Sequence, residues 1–417
     1  MNPLSPRPDV SSQAAASTKA GRKIVVASQH YPPDKSTTAA IMFEIACRLE
    51  ADNRVLVLSG TLGQLPPDQL GPEMPSVIQL PNRPAEKGAL IRRGIAEILF
   101  ASRMFFALLK HLRRGDAVLT VTAPFMLPYA VVAAAKLKGA RSALVMHDLF
   151  PDVLVMAGLL KPSAMGTRII RALNAWMFRA LDAVVTIGRD AANPLLSYRG
   201  MTKGKICFIP NWATLPPSLR PVTGDNPFRI NVRSRFVVGL SGNLGFTHDP
   251  DIVFEAASLL RDEPDIHFLL SGWGVGFERL KRRQSDARLP NVTLLERVPE
   301  DQLETLLTAA DVWIIPYRKD VAGVSVPSRF YNLLAVGRPV LLVSEPEAEA
   351  ALTVVENGLG WVVSPGKADQ LAAAIRTAAR SDDPAMGHRA VSAAARYDRA
   401  SAMNAYAALM RRLLQSA

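Results

Sequence analysis

Short apolar runs alternate with longer amphipathic stretches along most of the chain. In the first half, the apolar runs that predict strands are 23–28, 54–59, 116–122, 142–148, 182–187 and 205–212. The stretches between them repeat apolar residues with the period of a helix. Continuous apolar strands that alternate with helices predict a parallel sheet with both faces covered.

The same pattern restarts in the second half. The predicted strands there are 236–240, 267–271, 292–295, 311–315 and 339–343, with helical stretches between them. A chain of 417 residues exceeds one typical core. The pattern therefore predicts an α/β protein of two domains, each a doubly wound parallel sheet.

Changes in composition divide the chain further. Residues 1–20 are rich in Ser, Ala and Pro, which predicts a disordered leader and not a signal peptide. Proline and glycine concentrate at 213–235, which predicts a linker between a first domain at 21–212 and a second at 236–400. The last helical pattern, 401–417, is predicted to return to the first domain.

Charge and cysteine content narrow the function classes. A formal net charge of +12 and a pI near 9.9 favour anionic partners such as nucleotides or phospholipid surfaces. Neither a zinc-ligand spacing nor an aromatic RNA-binding signature is present, which argues against nucleic acid. Cys47 and Cys207 lie far apart in apolar runs, so a reducing compartment is expected. No run approaches the ~18 apolar residues of a membrane span.

Residues 89–114 form a helical pattern that mixes large apolar side chains with many basic ones. A basic amphipathic helix of this kind can lie on an anionic membrane surface. The alternative is a helix that packs on the core and exposes a basic rim to water. The pattern leaves both interpretations open.

Residues 326–340 predict a helix N-terminus, a short amphipathic helix, a glycine stop and a buried strand. Pro327 suits the first turn, and the free N–H groups beside it, together with Arg329, can hold a phosphate. Asn332 lies one turn further along roughly the same face and can pair with nucleotide hydroxyls. The alternative is an ordinary helix-to-strand unit with a polar cap.

Two glycine-rich segments follow predicted strands of the second half. They are Ser-Gly-Asn-Leu-Gly at 241–245 and Ser-Gly-Trp-Gly-Val-Gly at 271–276. Glycine at the carboxyl end of a parallel strand lets the backbone approach a nucleotide closely. Trp273 either stacks near a base or fills a core. In series with residues 326–340, these segments predict a nucleotide site at one edge of the second sheet.

These motifs together resemble family four of the retaining glycosyltransferases. The markers in the second half are 241–245, 272–280, 310–316, 327–340 and 357–361. In the first half, residues 31–33 (Tyr-Pro-Pro), 147–152 (His-Asp-Leu-Phe-Pro-Asp) and 209–212 (Ile-Pro-Asn-Trp) are similar to transferases of bacterial colanic acid and O-antigen pathways. The resemblance implies a GT-B fold, in which two Rossmann-like domains face a cleft.

The resemblance also implies roles for individual residues. The residues expected to bind a nucleotide sugar are Gly242, Asn243, Gly245, Gly272, Trp273, Ser328 and Asn332. The expected catalytic residues are His147, which would orient the donor sugar, and Arg329, which would stabilise the leaving diphosphate. No metal and no cofactor beyond the nucleotide-sugar co-substrate are expected.

Several positions depart from the family pattern. The glutamate that usually grips the ribose is Asn332 here, and its companion eight positions upstream is Val324. An amide loses the charge-assisted strength of a carboxylate, about 1 kcal/mol per hydrogen bond. The usual basic pair of the first strand-to-helix loop is replaced by Asn243 and the surroundings of His248.

Two further sets of residues have competing interpretations. Asp148 and Asp152 follow His147, and Asp152 equally suits the turn after a proline. Asp249 and Asp251 match the paired aspartates that bind a metal in the other major transferase fold. Because Pro250 opens a helix between them, we interpret both as helix caps.

The sequence therefore predicts a cytoplasmic glycosyltransferase, peripheral to the inner face of the plasma membrane. It would move a hexosyl or N-acetylhexosaminyl group from a UDP-sugar to a polyprenyl-diphosphate-linked glycan, with retention at the anomeric carbon, in exopolysaccharide or O-antigen biosynthesis. One alternative is a GT-B-fold UDP-sugar epimerase, which needs carboxylates in the cleft. The other is a non-catalytic nucleotide-sugar-binding subunit, suggested by Asn332, Asn243 and Val324.

Overall fold

The structure is a computed structural model that describes residues 21–65, 71, 73–82 and 90–416, without the side chains of residues 90, 91 and 93. The leader predicted at 1–20 lies outside these residues. Two parallel sheets organise the described part of the chain, one in each half.

The N-terminal sheet has seven strands in the order β3-β2-β1-β4-β5-β6-β7, and each neighbouring pair is parallel. Its strands are β1 (Ile24–Ser28), β2 (Val55–Ser59), β3 (Ser76–Gln79), β4 (Ala117–Val121), β5 (Arg141–Met146), β6 (Ala183–Thr186) and β7 (Ile206–Phe208). Strand β1 is buried throughout. A strand covered on both faces accounts for the unbroken apolar runs in the sequence.

Helices cover both faces of this sheet. They are α1 (Thr37–Asp52), α2 (Leu90–His111), α3 (Leu127–Lys138), α4 (Asp152–Met156), α5 (Met165–Ala180) and α6 (Ala192–Leu196). Residues of α1 pack with one set of alternating strand positions, which includes Ile24 and Val26. Residues of α2 and α3 pack with the other set, which includes Val25 and Ala27. The core thus has two layers, one on each face.

The C-terminal sheet has six parallel strands in the order β10-β9-β8-β11-β12-β13. They are β8 (Phe236–Asn243), β9 (Ile266–Trp273), β10 (Val292–Leu295), β11 (Val312–Pro316), β12 (Val340–Val343) and β13 (Gly360–Val363). Its helices are α7 (Pro250–Leu259), α8 (Val275–Ala287), α9 (Leu303–Leu307), α10 (Ser328–Ala335), α11 (Glu349–Asn357), α12 (Ala368–Arg380) and α13 (Ala385–Ala394). Two doubly wound parallel sheets confirm the predicted fold class.

Two strands extend beyond their predicted ends. The sequence pattern ended β8 at residue 240 and β9 at residue 271, but the two strands stay paired through Gly242 with Gly272 and Asn243 with Trp273. Glycine makes this extension sterically feasible, because a Cβ at Gly272 would lie 2.6 Å from the carbonyl oxygen of Gly242. The predicted loops are therefore partly a parallel ladder.

The last helix, α14 (Arg399–Gln415), packs on the N-terminal domain. Its residues Met403, Tyr406 and Met410 belong to the same buried cluster as Met42 and Ile45 of α1. The segment between the sheets runs along the C-terminal domain, where the Ser218 amide donates to the Ala335 carbonyl at 2.9 Å. The chain thus crosses between the domains twice.

Candidate active site at the interdomain cleft

The carboxyl ends of the C-terminal strands carry the predicted nucleotide site. Helix α10 begins at Ser328, after Pro327 at the N-cap position, and ends before Gly337, whose positive φ of 74° suits a glycine stop. Within the described residues, no hydrogen bond uses the amide N–H of Ser328 or of Arg329. Two donors at the positive end of a helix are therefore open to an anion.

Arg329 adds a cation to this helix start. Its side chain is half-buried, and it makes no hydrogen bond or ion pair with any described residue. Burial lowers the pKa of its guanidinium, and Arg297 reinforces that shift while Glu300 opposes it. Because arginine stays protonated in proteins, the result is a partly desolvated charge that forms no ion pair with the described residues. An anionic ligand would relieve this unfavourable state.

Trp273 lies beside the same cluster. The guanidinium of Arg297, which follows β10, stands 4.6 Å from the centre of the Trp273 ring. Arg297 is exposed and has no other partner among the described residues. Trp273 is thus half-buried and stacked on Arg297. Arg297 in turn is close enough to Arg329 to lower the pKa of that guanidinium.

A third arginine, Arg318, lies at the end of β11. Its backbone N–H donates to the Thr247 carbonyl and its Nε to the His248 carbonyl, both at 2.9 Å. These bonds fix the side chain on the loop between β8 and α7, while its two terminal nitrogens find no acceptor in the described chain. His248 itself packs against Tyr317, with ring centres 5.0 Å apart. Burial lowers the pKa of His248 to about 4, so it supplies no charge at neutral pH.

The glycines of the two glycine-rich segments have different surroundings. A Cβ at Gly242 would meet no atom within 4 Å, and one at Gly245 would meet only the Asn243 side chain, at 3.9 Å. A Cβ at Gly274 or Gly276 would instead collide with the backbone or side chains of residues 243 and 244. The first segment is open to a ligand, whereas the second is glycine-rich because it packs on the first.

Asn332 is buried and bonded to the interdomain segment. Its Oδ1 accepts from the N–H groups of Thr214 at 2.8 Å and Leu215 at 3.2 Å, and its Nδ2 donates to the Thr214 hydroxyl at 3.0 Å. These partners anchor the segment that follows the N-terminal domain. The expected ribose contact stays a prediction, and in this conformation the Asn332 carbonyl already has its acceptor capacity filled.

The N-terminal side of the cleft is formed by residues 147–149. His147 follows β5, and its Nε2 is buried without a partner among the described residues. Burial lowers the pKa of His147 to about 4, which keeps the imidazole neutral. The backbone beside it bridges the domains, because the Leu149 N–H donates to the Val324 carbonyl at 3.1 Å.

Asp148 and Asp190 both reach across to the other domain. Burial raises the pKa of Asp148, and a hydrogen bond from Ser325 opposes that rise. Asp190 accepts from the amides of Gly323 at 2.8 Å and Glu349 at 3.0 Å. These carboxylates hold the domains together, so both are already engaged in structural contacts.

The first strand-to-helix loop of the N-terminal domain also opens on the cleft. His30 and Asp34 lie 2.6 Å apart through Nδ1 and Oδ2. Ser36 caps α1 by accepting from the Ala39 N–H at 3.3 Å. Helix α1 therefore starts at Thr37, and the exposed Thr37 side chain stands at the helix N-terminus.

The aspartates around Pro250 have structural partners. Asp249 caps α7 by accepting from the Asp251 N–H at 3.2 Å. Asp251 pairs with Arg279 and Arg283, each at 3.1 Å. The described residues contain no cluster of three or more His, Cys, Asp or Glu side chains placed to hold a metal ion.

In the ranges that the structure covers, every helix is too short or too polar to cross a bilayer.

Sequence reasoning missed two of the three arginines of the site. Arg297 follows the predicted strand 292–295, and Arg318 follows the predicted strand 311–315. A basic residue within three positions of the end of a parallel strand was the available signal, because such positions line the ligand-binding edge. The structure brings Trp273, Arg329 and the start of α10 to this edge. Asn332 lies one turn further along α10 and bonds to Thr214 of the interdomain segment.

Family models match both halves of the chain. Residues 12–212 match the Glycosyl transferase 4-like domain, and residues 226–396 match Glycosyl transferases group 1. Among curated proteins, the chain is similar to the probable glycosyltransferase WbjE of Pseudomonas aeruginosa, with 26% identity over 88% of this chain and 91% of that protein. It is also similar to the putative colanic acid biosynthesis glycosyl transferase WcaI of Escherichia coli K12, with 27% identity over 72% of this chain and 74% of that protein.

Solved structures share the fold. Sucrose-phosphate synthase from Thermosynechococcus elongatus matches with a TM-score of 0.71 at 15% identity, over 95% of this chain and all of that one. HepE from Anabaena, in complex with UDP-glucose, matches with a TM-score of 0.66 at 16% identity, over 94% of this chain and all of that one.

Together, the two family models and the two facing parallel-sheet domains confirm the predicted family and fold. The curated relatives are glycosyltransferases, and one is named for polysaccharide biosynthesis. The chain therefore belongs to the glycosyltransferases of the GT-B fold, with a glycosyl transferase 4-like domain followed by a group 1 domain.

Proposed function

We propose that this enzyme transfers a hexosyl or N-acetylhexosaminyl group from UDP to a polyprenyl-diphosphate-linked glycan, with retention at the anomeric carbon. The observation that carries the proposal is the unpaired Arg329 beside the open amides of α10. HepE, which shares the fold, has been solved with UDP and with UDP-glucose. WcaI, named for colanic acid biosynthesis, supports bacterial polysaccharide biosynthesis as the setting.

The donor diphosphate would lie between the start of α10 and the segment 242–245, which comprises the end of β8 and the residues after it. Negative charge gathers on the diphosphate as the glycosidic bond breaks, so preorganised donors that face it lower the barrier. Arg329 and the amides of Ser328 and Arg329 would take one side of the diphosphate. The backbone of segment 242–245 would approach the diphosphate closely from the other side.

Trp273 and Arg297 would receive the uracil base. A guanidinium stacked on an indole presents a flat, cationic surface, against which a nucleobase packs well. The ribose would then lie toward α10, where Asn332 was expected to meet it. Because the Asn332 carbonyl is occupied by Thr214, we propose that the ribose contact is made through the remaining N–H of its amide.

His147 would face the donor sugar from the N-terminal domain. A neutral imidazole with an unpartnered Nε2 can exchange one hydrogen bond with a sugar hydroxyl. The positive charge for the leaving group would come from the arginines, which makes transfer metal-independent. We place the enzyme in the cytoplasm, peripheral to the inner face of the plasma membrane, where α2 meets anionic lipid.

The test is nucleotide release from a panel of UDP- and GDP-sugars, with and without a short polyprenyl-diphosphate glycan. The expected result is acceptor-dependent release of UDP from one sugar, and a product with the same anomeric configuration as the donor. Conversion of the donor to its epimer, without an acceptor, would indicate an epimerase instead. Tight binding without release across the panel would indicate a non-catalytic subunit.

A further inference from the structure

Helix α5 carries an apolar stripe that no other described element covers. Its four large apolar side chains Met165, Ile169, Leu173 and Trp176 are exposed by 68%, 53%, 43% and 38%. At about 100° per residue, these four positions fall within about 80° around the helix axis. The opposite side of α5 packs into the domain through residues such as Asn174 and Phe178.

Helix α2 is built in the same way. Its exposed apolar residues are Ile95, Ile98, Leu99 and Phe106, at 51 to 67% exposure, while Phe100, Met104 and Leu108 on the other side are buried. Each interpretation of residues 89–114 thus describes one side of this helix. It packs on the core and also exposes apolar side chains to water.

The two helices lie in one layer. Both pack against α3, and all three cover the same face of the N-terminal sheet. The exposed end of α3 adds Leu137, at 69% exposure. Several large apolar side chains on neighbouring helices exceed the scattered exposure of an ordinary surface and mark an interaction site.

The charge of this layer identifies the partner. Helices α2, α3 and α5 carry nine Lys or Arg residues and a single Glu. In α5, Arg168 and Arg179 border the apolar stripe on one side. Apolar side chains flanked by cations match a surface with an anionic outer layer and an apolar interior, which is an anionic phospholipid bilayer.

The layer also opens toward the cleft. Helix α5 follows residues 147–151 and runs back along the sheet, so its Met165 end lies near the carboxyl edge that carries His147. Beside α5 lies a cavity of about 490 Å³, whose lining includes Leu149, Arg171 and Arg199. Asp152 also lines this cavity and pairs with Arg171 at 3.0 Å, which leaves Arg199 as the cation without an ion pair among the described residues. A lipid-linked substrate could keep its tail in the bilayer and place its diphosphate in this cavity, beside Arg199.

We propose that α2 and α5 together form one membrane-docking face for anionic phospholipid, and that docking presents the cavity beside α5 to the diphosphate of a lipid-linked acceptor. The docking face stands on its own observations, whereas the acceptor route rests on the proposed function. In this arrangement, the apolar stripe of α5 inserts into the bilayer, and Arg168 and Arg179 contact the lipid phosphates.

The test uses the full-length protein with the double substitution Ile169→Glu and Leu173→Glu. Both side chains are exposed, so the fold should tolerate the change. The matched control is Val355→Glu, an exposed apolar residue of the C-terminal domain at 69% exposure. Binding is measured by co-sedimentation with phosphatidylcholine vesicles that contain phosphatidylglycerol, and with pure phosphatidylcholine vesicles. UDP affinity in each variant reports on folding and on the donor site.

The expected result is that the unmodified protein and Val355→Glu bind the anionic vesicles, and that the double variant binds at least tenfold more weakly with unchanged UDP affinity. Vesicle binding by the double variant at the unmodified level would overturn the docking face. So would a dimer in solution that the double variant dissociates, because the face would then be a protein interface. Vesicle binding without any sugar transfer would refute the proposed function and leave the docking face intact.

Discussion

The two sides of the cleft are built in opposite ways. On the C-terminal side, Arg297, Arg318 and Arg329 keep N–H groups without acceptors among the described residues, and the space beside Gly242 at the end of β8 is open. On the N-terminal side, Asp148 bonds to Ser325 and Asp190 to two amides of the other domain. One side is prepared for an anion, and the other is bonded to its partner domain.

This difference separates residues for binding from residues for assembly. Burial lowers the pKa of Arg329, and the charge of Arg297 adds to that shift while Glu300 opposes it, so keeping Arg329 protonated weakens the folded state. Such an arrangement is typical of a site that is completed by a ligand of opposite charge. The buried carboxylates of Asp148 and Asp190 accept hydrogen bonds across the domain contact, and they set how the two domains meet.

The largest effect is expected from Arg329→Ala. Removing the unpaired guanidinium should lower the rate of UDP release in transfer by roughly 100- to 1,000-fold, since it stabilises charge that develops on the leaving group. Arg329→Lys should recover part of the loss because it restores the charge without the fork of donors. The control is Arg261→Ala, an exposed arginine on the same domain that pairs with Asp262. Unchanged turnover in Arg329→Ala would remove α10 from the proposed site.

The next effect distinguishes the two glycine-rich segments. Gly272→Ala should lower the free energy of unfolding by about 1 to 3 kcal/mol, because its Cβ has no room beside the Gly242 carbonyl. Gly245→Ala should leave the unfolding free energy nearly unchanged and weaken UDP binding, since its Cβ would point into open space. Chemical denaturation and calorimetric titration measure the two quantities. Equal loss of stability in both variants would show that both segments serve packing.

Sequence reasoning predicted the fold class well, for a physical reason. A strand buried on both faces must be apolar throughout, as β12 is at Val340–Val343, so its run is visible without knowledge of its neighbours. The start of α10 was equally visible, because proline and glycine mark helix ends locally. Features that depend on local chemistry can therefore be predicted from the sequence alone.

Long-range partners were not predictable in this way. The bond between Asn332 and Thr214 joins residues 118 positions apart, and no periodicity in the chain signals it. The paired extension of β8 and β9 was not predictable, because glycine and polar residues after an apolar run favour a loop. In the same way, the packing of His248 against Tyr317 joins distant parts of the chain, and no local pattern signals it.

A smaller effect is expected from Arg318→Ala. If its free nitrogens face the diphosphate, the variant should bind UDP about tenfold more weakly, which corresponds to about 1.4 kcal/mol. Uridine, which has no phosphate, should bind both proteins alike. Calorimetric titration with UDP, UMP and uridine measures this difference. An equal loss of affinity for uridine would instead indicate that Arg318 only supports the β8–α7 loop.

The smallest expected change concerns pH and tests the N-terminal side. Burial lowers the pKa of His147 to about 4, so the group is deprotonated at every pH above that value. His147→Gln should lower turnover about tenfold through the lost sugar contact, yet the shape of the pH profile between pH 5.5 and 8 should match that of the unmodified enzyme. His388→Gln, at an exposed position, serves as the control. An inflection near pH 6.5 that disappears only in His147→Gln would show instead that this imidazole titrates during transfer. The N-terminal side would then take part in proton transfer, and its role would no longer be limited to orientation and domain contact.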